Sequence, residues 1–288
     1  MTDLVQSSGY HGFPMLKGPV WTWEIPAYFF VGGAAGAAAL IGAVARRTGA
    51  DEAIVRDARW IAAAGAALSP PLLISDLGRP ERFLNMLRVF KVQSPMSVGA
   101  WTLVAFSTFA GAAAFADLAG RAIGGRLPVR LVGDASEMLA AATGMVLSTY
   151  TGVLLGATAI PVWSKNARVL PVHFGASGLG SAVSMLELLG HRTRALNALG
   201  IGAALVETGL AARVELSSEP ALSAIKNGDA AAFARAGAVL SGPLPLALRL
   251  FAAGSPSARR LAAASTIAGS MLTRIAWISA GRIPATRE

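Results

Sequence analysis

The stretch LLISDLGRPERFLNMLRVFKVQSPMSVGAW, residues 72–101, places Asp76, Arg79, Glu81, Arg82, Arg88 and Lys91 between two long apolar runs. About 20 mainly apolar residues of helix cross the hydrocarbon core of a bilayer, so a short charged island between two such runs reads as a loop at a membrane face. Gly78 and Pro80 fit a turn after a helix end. Ser94 and Pro95 fit the N-cap and first position of the next helix.

The rest of the chain has the same character. Of 288 residues, 54% are hydrophobic and only 14% charged, with a mean hydropathy of +0.55, outside the balance of soluble domains. Small residues dominate, which is what close helix packing in lipid uses. No cysteine is present, so disulfides, thiolate-bound iron–sulfur clusters and zinc–thiolate sites are excluded. The formal charge of +9 lies mainly in short segments between apolar runs, where basic residues meet lipid headgroups or set topology, so no nucleic-acid partner is expected. The opening residues lack a basic region followed by an apolar one, so the first apolar helix is expected to direct insertion.

Scanning for runs of about 20 residues gives eight helices, at about 24–45, 58–76, 96–118, 135–158, 170–190, 195–213, 231–253 and 260–279. The expected fold is an all-α integral membrane protein, a bundle of eight transmembrane helices in one polytopic domain over residues 1–288. An even count puts both termini on one side, here side A. Lysine and arginine divide evenly between side A and the opposite side B, so orientation stays open. Two prolines in SGPLPLA predict a break in the seventh helix near Gly242 to Pro245.

Ionisable groups at membrane depth are costly and mark function by default; here they are Glu24, Asp76, Glu137, His173, Glu187, Glu207 and Arg274. Alternating helix direction carries Glu24, Asp76, Tyr150, His173 and Glu207 towards side A, and Glu137 and Glu187 towards side B. Simpler roles compete with function. Glu24 and Asp76 suit helix ends, His173 suits a cap, and Tyr150, Trp21, Trp23, Trp101 and Trp163 suit an aromatic belt. Ser177, Ser181 and Ser184 recur at helical spacing ahead of Glu187; they fit a proton path or, more simply, polar contacts between helices. Histidine occurs only at His11, His173 and His191, which excludes a bis-histidine haem. No metal site is expected, and the GGAAGAAAL run after Tyr28 reads as a packing surface.

WTWEIPAYFFVGGAAGAA (residues 21–38), the 72–101 stretch and STYTGVLLGATAIPVW (residues 148–163) resemble the NrfD/PsrC family, the integral membrane subunit of polysulfide-reductase-like respiratory complexes. The resemblance spans about the first six helices. It implies a metal-free, multi-pass bundle in the cell (cytoplasmic) membrane that binds menaquinone or ubiquinone. It also implies a ferredoxin-like iron–sulfur subunit and a molybdopterin-containing catalytic subunit as partners. Carried over, Glu24 stands where some members have asparagine, Tyr150 matches a fourth-helix tyrosine, and Glu207 matches a sixth-helix acidic residue. An arginine that some members use near the fifth helix has no secure counterpart. The site expected is therefore Glu24, Asp76 and Glu207 as proton-exchanging groups, with Glu24, Tyr28, Asp76, Arg79, Tyr150 and His173 around a quinone. A proton-coupled transporter and a passive membrane anchor are the competing readings.

Overall fold

The computed structural model describes residues 19–122, 127–227 and 229–282, and contains helices and no strand among them. His11 lies outside the described residues. The long helices are α1 (Glu24–Arg47), α2 (Glu52–Ser75), α4 (Pro95–Ala122), α5 (Leu127–Gly156), α7 (Leu170–Leu188), α8 (Arg194–Leu216) and α12 (Pro256–Ala280). Between them lie the short α3 (Arg82–Met86), α6 (Pro161–Ser164) and α9 (Ser223–Lys226), and the consecutive pair α10 (Asp229–Ser241) and α11 (Pro243–Phe251).

Among the described residues, six segments are long and apolar enough to cross a membrane: α1, α4, α5, α8, α12 and the span Ala230–Phe251 that joins α10 to α11. The helices α2 and α7 have 24 and 19 residues and pack in the same bundle, but are not among the six. Their polar content explains this: α2 carries Arg56, Asp57 and Arg59, and α7 carries His173, three serines and Glu187.

Several helices run further than hydropathy alone predicts. The helix α2 starts at Glu52, because the Asp51 side chain accepts a hydrogen bond from the Ala53 amide at 2.9 Å and caps the first turn. The helix α5 starts at Leu127, so Arg130 and Asp134 are helical. The 72–101 stretch forms a turn through Gly78, whose φ of +65° suits glycine, then α3, then α4 behind Ser94 and Pro95. The Ser97 amide donates to Ser94 Oγ at 3.4 Å. Downstream, the chain breaks at Gly242, and Pro243 opens α11.

The helix α1 is the hub, packing on α2, α5, α7 and α12. Its glycines let backbones touch. A Cβ on Gly36 would lie 2.2 Å from the Gly144 carbonyl oxygen of α5, and one on Gly178 of α7 would lie 2.8 Å from the Gly33 oxygen. The run after Tyr28 is thus a packing surface. Gly36→Val must push α1 off α5, and overpacking of this kind costs about 1–3 kcal/mol or more. The detergent-purified variant is expected to melt several degrees lower; an unchanged melting temperature contradicts the close approach.

Candidate functional site

The bundle has two polar ends with different chemistry. At the end holding the start of α7 and the end of α8, His173 Nε2 lies 3.1 Å from Glu207 Oε2. Ser241 Oγ, from the last residue of α10, donates to the same oxygen at 2.9 Å. The helix break at Gly242 follows directly, so the sequence that interrupts α10 also delivers a hydroxyl to the carboxylate. Both His173 and Glu207 are buried, and His173 Nδ1 and Glu207 Oε1 have no hydrogen-bond partner among the described residues. Buried polar atoms are seldom left unpaired, so these two are candidates to meet a further group.

These residues line a cavity of about 40 Å³, walled by Val214, Ile225, Ala234, Thr273 and Trp277. That volume suits two or three waters. Trp277 packs edge-on to His173 at 6.1 Å.

Arg274, one turn before Trp277 on α12, is fully buried and has no carboxylate within salt-bridge distance among the described residues. Hydroxyls and carbonyls hold it: Nη1 donates to Ser177 Oγ at 2.8 Å, Ser270 Oγ at 2.5 Å and Ser270 O at 3.0 Å. Its guanidinium also lies over the Phe30 and Phe174 rings, at 5.7 and 5.3 Å from their centroids. A Cβ on Gly33 would lie 3.0 Å from Arg274 Nη2, so the bare glycine leaves room for the guanidinium.

Glu24 and Asp76 form a second, half-buried group at the same end. Thr22 joins them: its amide donates to Asp76 Oδ1 at 3.0 Å, and its hydroxyl lies within reach of both that oxygen, at 3.0 Å, and Glu24, with one proton to donate to either. No hydrogen bond links this group to His173 and Glu207 among the described residues. Aromatic contacts link them instead. Trp21 stacks on Trp163 at 5.5 Å, Trp163 Nε1 donates to the Trp277 carbonyl at 2.8 Å, and Trp277 meets His173. Tyr28 and Tyr150 are buried on α1 and α5, and neither hydroxyl has a protein partner among the described residues. Tyr150 needs Gly99 on α4, since a Cβ there would lie 1.9 Å from its ring. Arg79 is exposed in the turn after α2 and makes no ion pair with Asp76.

Two expectations about side chains need correction. Trp163 is no interface aromatic: it is fully buried beneath Trp21, because its indole N–H has a backbone partner inside the bundle. The arginines expected in side B loops are partly interior. Arg249 pairs with both oxygens of Glu187 at 2.9 and 2.7 Å, and Arg259 pairs with Glu187 at 2.5 Å, all three buried. A Cβ on Gly200 would lie 2.4 Å from the Arg249 guanidinium, so that glycine makes its room. Glu137 takes Arg59 at 2.6 Å and Arg46 at 2.8 Å. Among the described residues the α7 serines form no continuous chain to Glu187: Ser181 donates back to the Ser177 carbonyl, and Ser184 Oγ has no partner there.

The structure therefore gathers His173 and Glu207 into one site, joins Glu24 to Asp76 in another, and leaves Arg79 outside both. Ser241, Thr22 and Trp277 escaped the sequence reading. Ser241 alone left a signal, by preceding the glycine and prolines that break the helix.

A family model described as "Polysulphide reductase, NrfD" matches residues 14–283, nearly the whole chain. No curated protein matches it.

Proposed function

The chain belongs to the polysulphide reductase NrfD family, and from that membership we propose that it is the quinone-reactive membrane subunit of an oxidoreductase complex. In this reading all eight apolar stretches cross the cell membrane, with α2 and α7 shielded by their neighbours. A ferredoxin-like iron–sulfur subunit and a molybdopterin-containing catalytic subunit supply the electrons or accept them. The observation that carries the proposal is the buried His173 and Glu207 pair, each with an unpartnered polar atom, lining a cavity with an apolar wall.

The donor set fits a quinone headgroup. A quinone, when bound, carries two electrons and two protons. Groups within hydrogen-bond reach of its carbonyl oxygens must therefore give and take protons. His173 Nδ1 and Glu207 Oε1 are the free atoms for this. Ser241 fixes the other carboxylate oxygen. The present cavity is well below the roughly 300 Å³ at which small-molecule pockets begin, so a ring is admitted only when the apolar wall opens. Glu24 and Asp76, half-buried at the same end, exchange protons with the surface through Thr22. Tyr28 and Tyr150 complete the polar lining of that end. Arg79, Arg82, Arg88 and Lys91, all outside the core, offer a basic face to the iron–sulfur partner.

Purification from native membranes tests the assignment. The chain is expected to co-purify with iron–sulfur and molybdenum-containing subunits, and a quinol analogue is expected to reduce, or be formed by, the partner's clusters. A stable monomer that moves a solute across liposomes would contradict this and favour a transporter. A complex whose clusters ignore quinols would favour a passive anchor.

A further inference from the structure

At side B, the ends of α1 and α4 and the starts of α2 and α5 enclose a cleft of about 330 Å³. Arg46, Arg59, Arg121 and Arg130 line it, opposed by Asp117 and Asp134. A second recess of about 190 Å³ adjoins it through Arg46 and Asp134, and adds Arg47 and Glu137. Five arginines thus face three carboxylates, an excess of two positive charges (5 − 3) over the two recesses together.

The acids are already engaged by the inner arginines. Arg59 pairs with Asp117 at 2.9 Å and Glu137 at 2.6 Å, and Arg46 with Asp134 at 3.0 Å and Glu137 at 2.8 Å. Arg121 reaches Asp117 at 2.6 Å from the rim. Arg47 and Arg130 have no ion pair among the described residues. One inner donor also stands unused among the described residues: Arg59 Nε is buried without a partner there, on a side chain only 10% exposed.

The surroundings decide what an anion here would be attached to. Val44, Phe115, Leu118, Leu131 and Met138 are large, apolar and 42–72% exposed on the same three helices, α1, α4 and α5. Met138 lines the smaller recess itself, so the charged cleft meets exposed apolar helix surface there. A phospholipid matches both: its phosphate sits among guanidinium groups at the headgroup level while its acyl chains lie along the apolar side chains below.

We propose that this cleft is a binding site for the phosphodiester headgroup of an anionic glycerophospholipid, held by Arg121 and Arg130 at the rim and Arg59 at the base. The site lies at the end of the bundle opposite His173 and Glu207, and stands independently of any quinone chemistry there.

Native mass spectrometry of the purified full chain, or of the complex it belongs to, tests the site with defined lipids. Phosphatidylglycerol is expected to remain bound after detergent washing at one molecule per chain and to outcompete phosphatidylcholine at least about tenfold. Arg121→Gln with Arg130→Gln is expected to remove that preference, and Arg130→Gln alone to weaken it with the fold unchanged by circular dichroism. Equal retention of the two lipids, or full phosphatidylglycerol retention in both variants, overturns the proposal. Displacement of the lipid by millimolar inorganic phosphate also overturns it, by making the site one for a free anion.

Discussion

Glu207→Gln is expected to lower quinone-linked electron transfer by about 10²–10⁴-fold while the complex still assembles, the range that a positioned proton-transfer group contributes. The amide can keep its oxygen where Oε2 accepts from Ser241 and meets His173 Nε2, with its nitrogen in place of the unpartnered Oε1, so the hydrogen-bond frame survives. What disappears is the group that titrates. The change should fall on kcat at saturating quinol, and the pH dependence of the residual rate should flatten. Asp76→Asn, in the half-buried group joined by Thr22, is expected to cost less, because water reaches that group and can stand in for it. Quinol turnover by the Glu207→Gln complex at the native rate would remove Glu207 from the chemistry.

The second large effect is on stability. Glu187→Ala leaves Arg249 and Arg259 buried beside each other with no counter-charge. Removing one partner of a buried ion cluster typically costs about 3–5 kcal/mol, because the remaining charge is stranded without solvent or partner. The detergent-solubilised variant is therefore expected to lose much of its chain to aggregation and to melt far below the native protein. Replacing all three residues by apolar ones of similar size, Glu187→Leu with Arg249→Met and Arg259→Met, should recover most of the loss. A native melting temperature for Glu187→Ala alone would show that the cluster contributes no net stability.

How much of this was legible in the sequence depended on whether the cause was local. Helix positions follow from runs of apolar residues, and the break before Pro243 follows from proline chemistry, so both could be read directly. Helix starts were placed late where a polar first turn hides the helix, as at Glu52 behind Asp51 and at Leu127 ahead of Arg130 and Asp134. Ion pairing was not legible at all. Glu187 meets arginines 62 and 72 residues away and Glu137 meets Arg46 91 residues away, so each looked like a lone charge or a loop charge until the bundle closed.

The candidate site divides the same way. Depth along each helix could be counted, which brought His173 and Glu207 to one end of the bundle. Rotation about each helix could not, and it is rotation that pairs His173 with Glu207 and gives Glu24 to Asp76 instead. Arg274 stood out as a charge inside an apolar helix, yet its role depends on Ser177 and Gly33 from two other helices. Trp163 lies in the segment after the fourth apolar run, near the expected interface, and packing against Trp21, Trp277 and Gly281 buries it.

The most direct test of the quinone assignment is photolabelling of the intact complex with an azidoquinone, followed by peptide mapping. Adducts are expected on the α7, α8 and α12 segments that carry His173, Glu207 and Trp277, suppressed by excess unmodified quinone. Adducts confined to other helices, or labelling that excess quinone fails to suppress, would contradict the assignment.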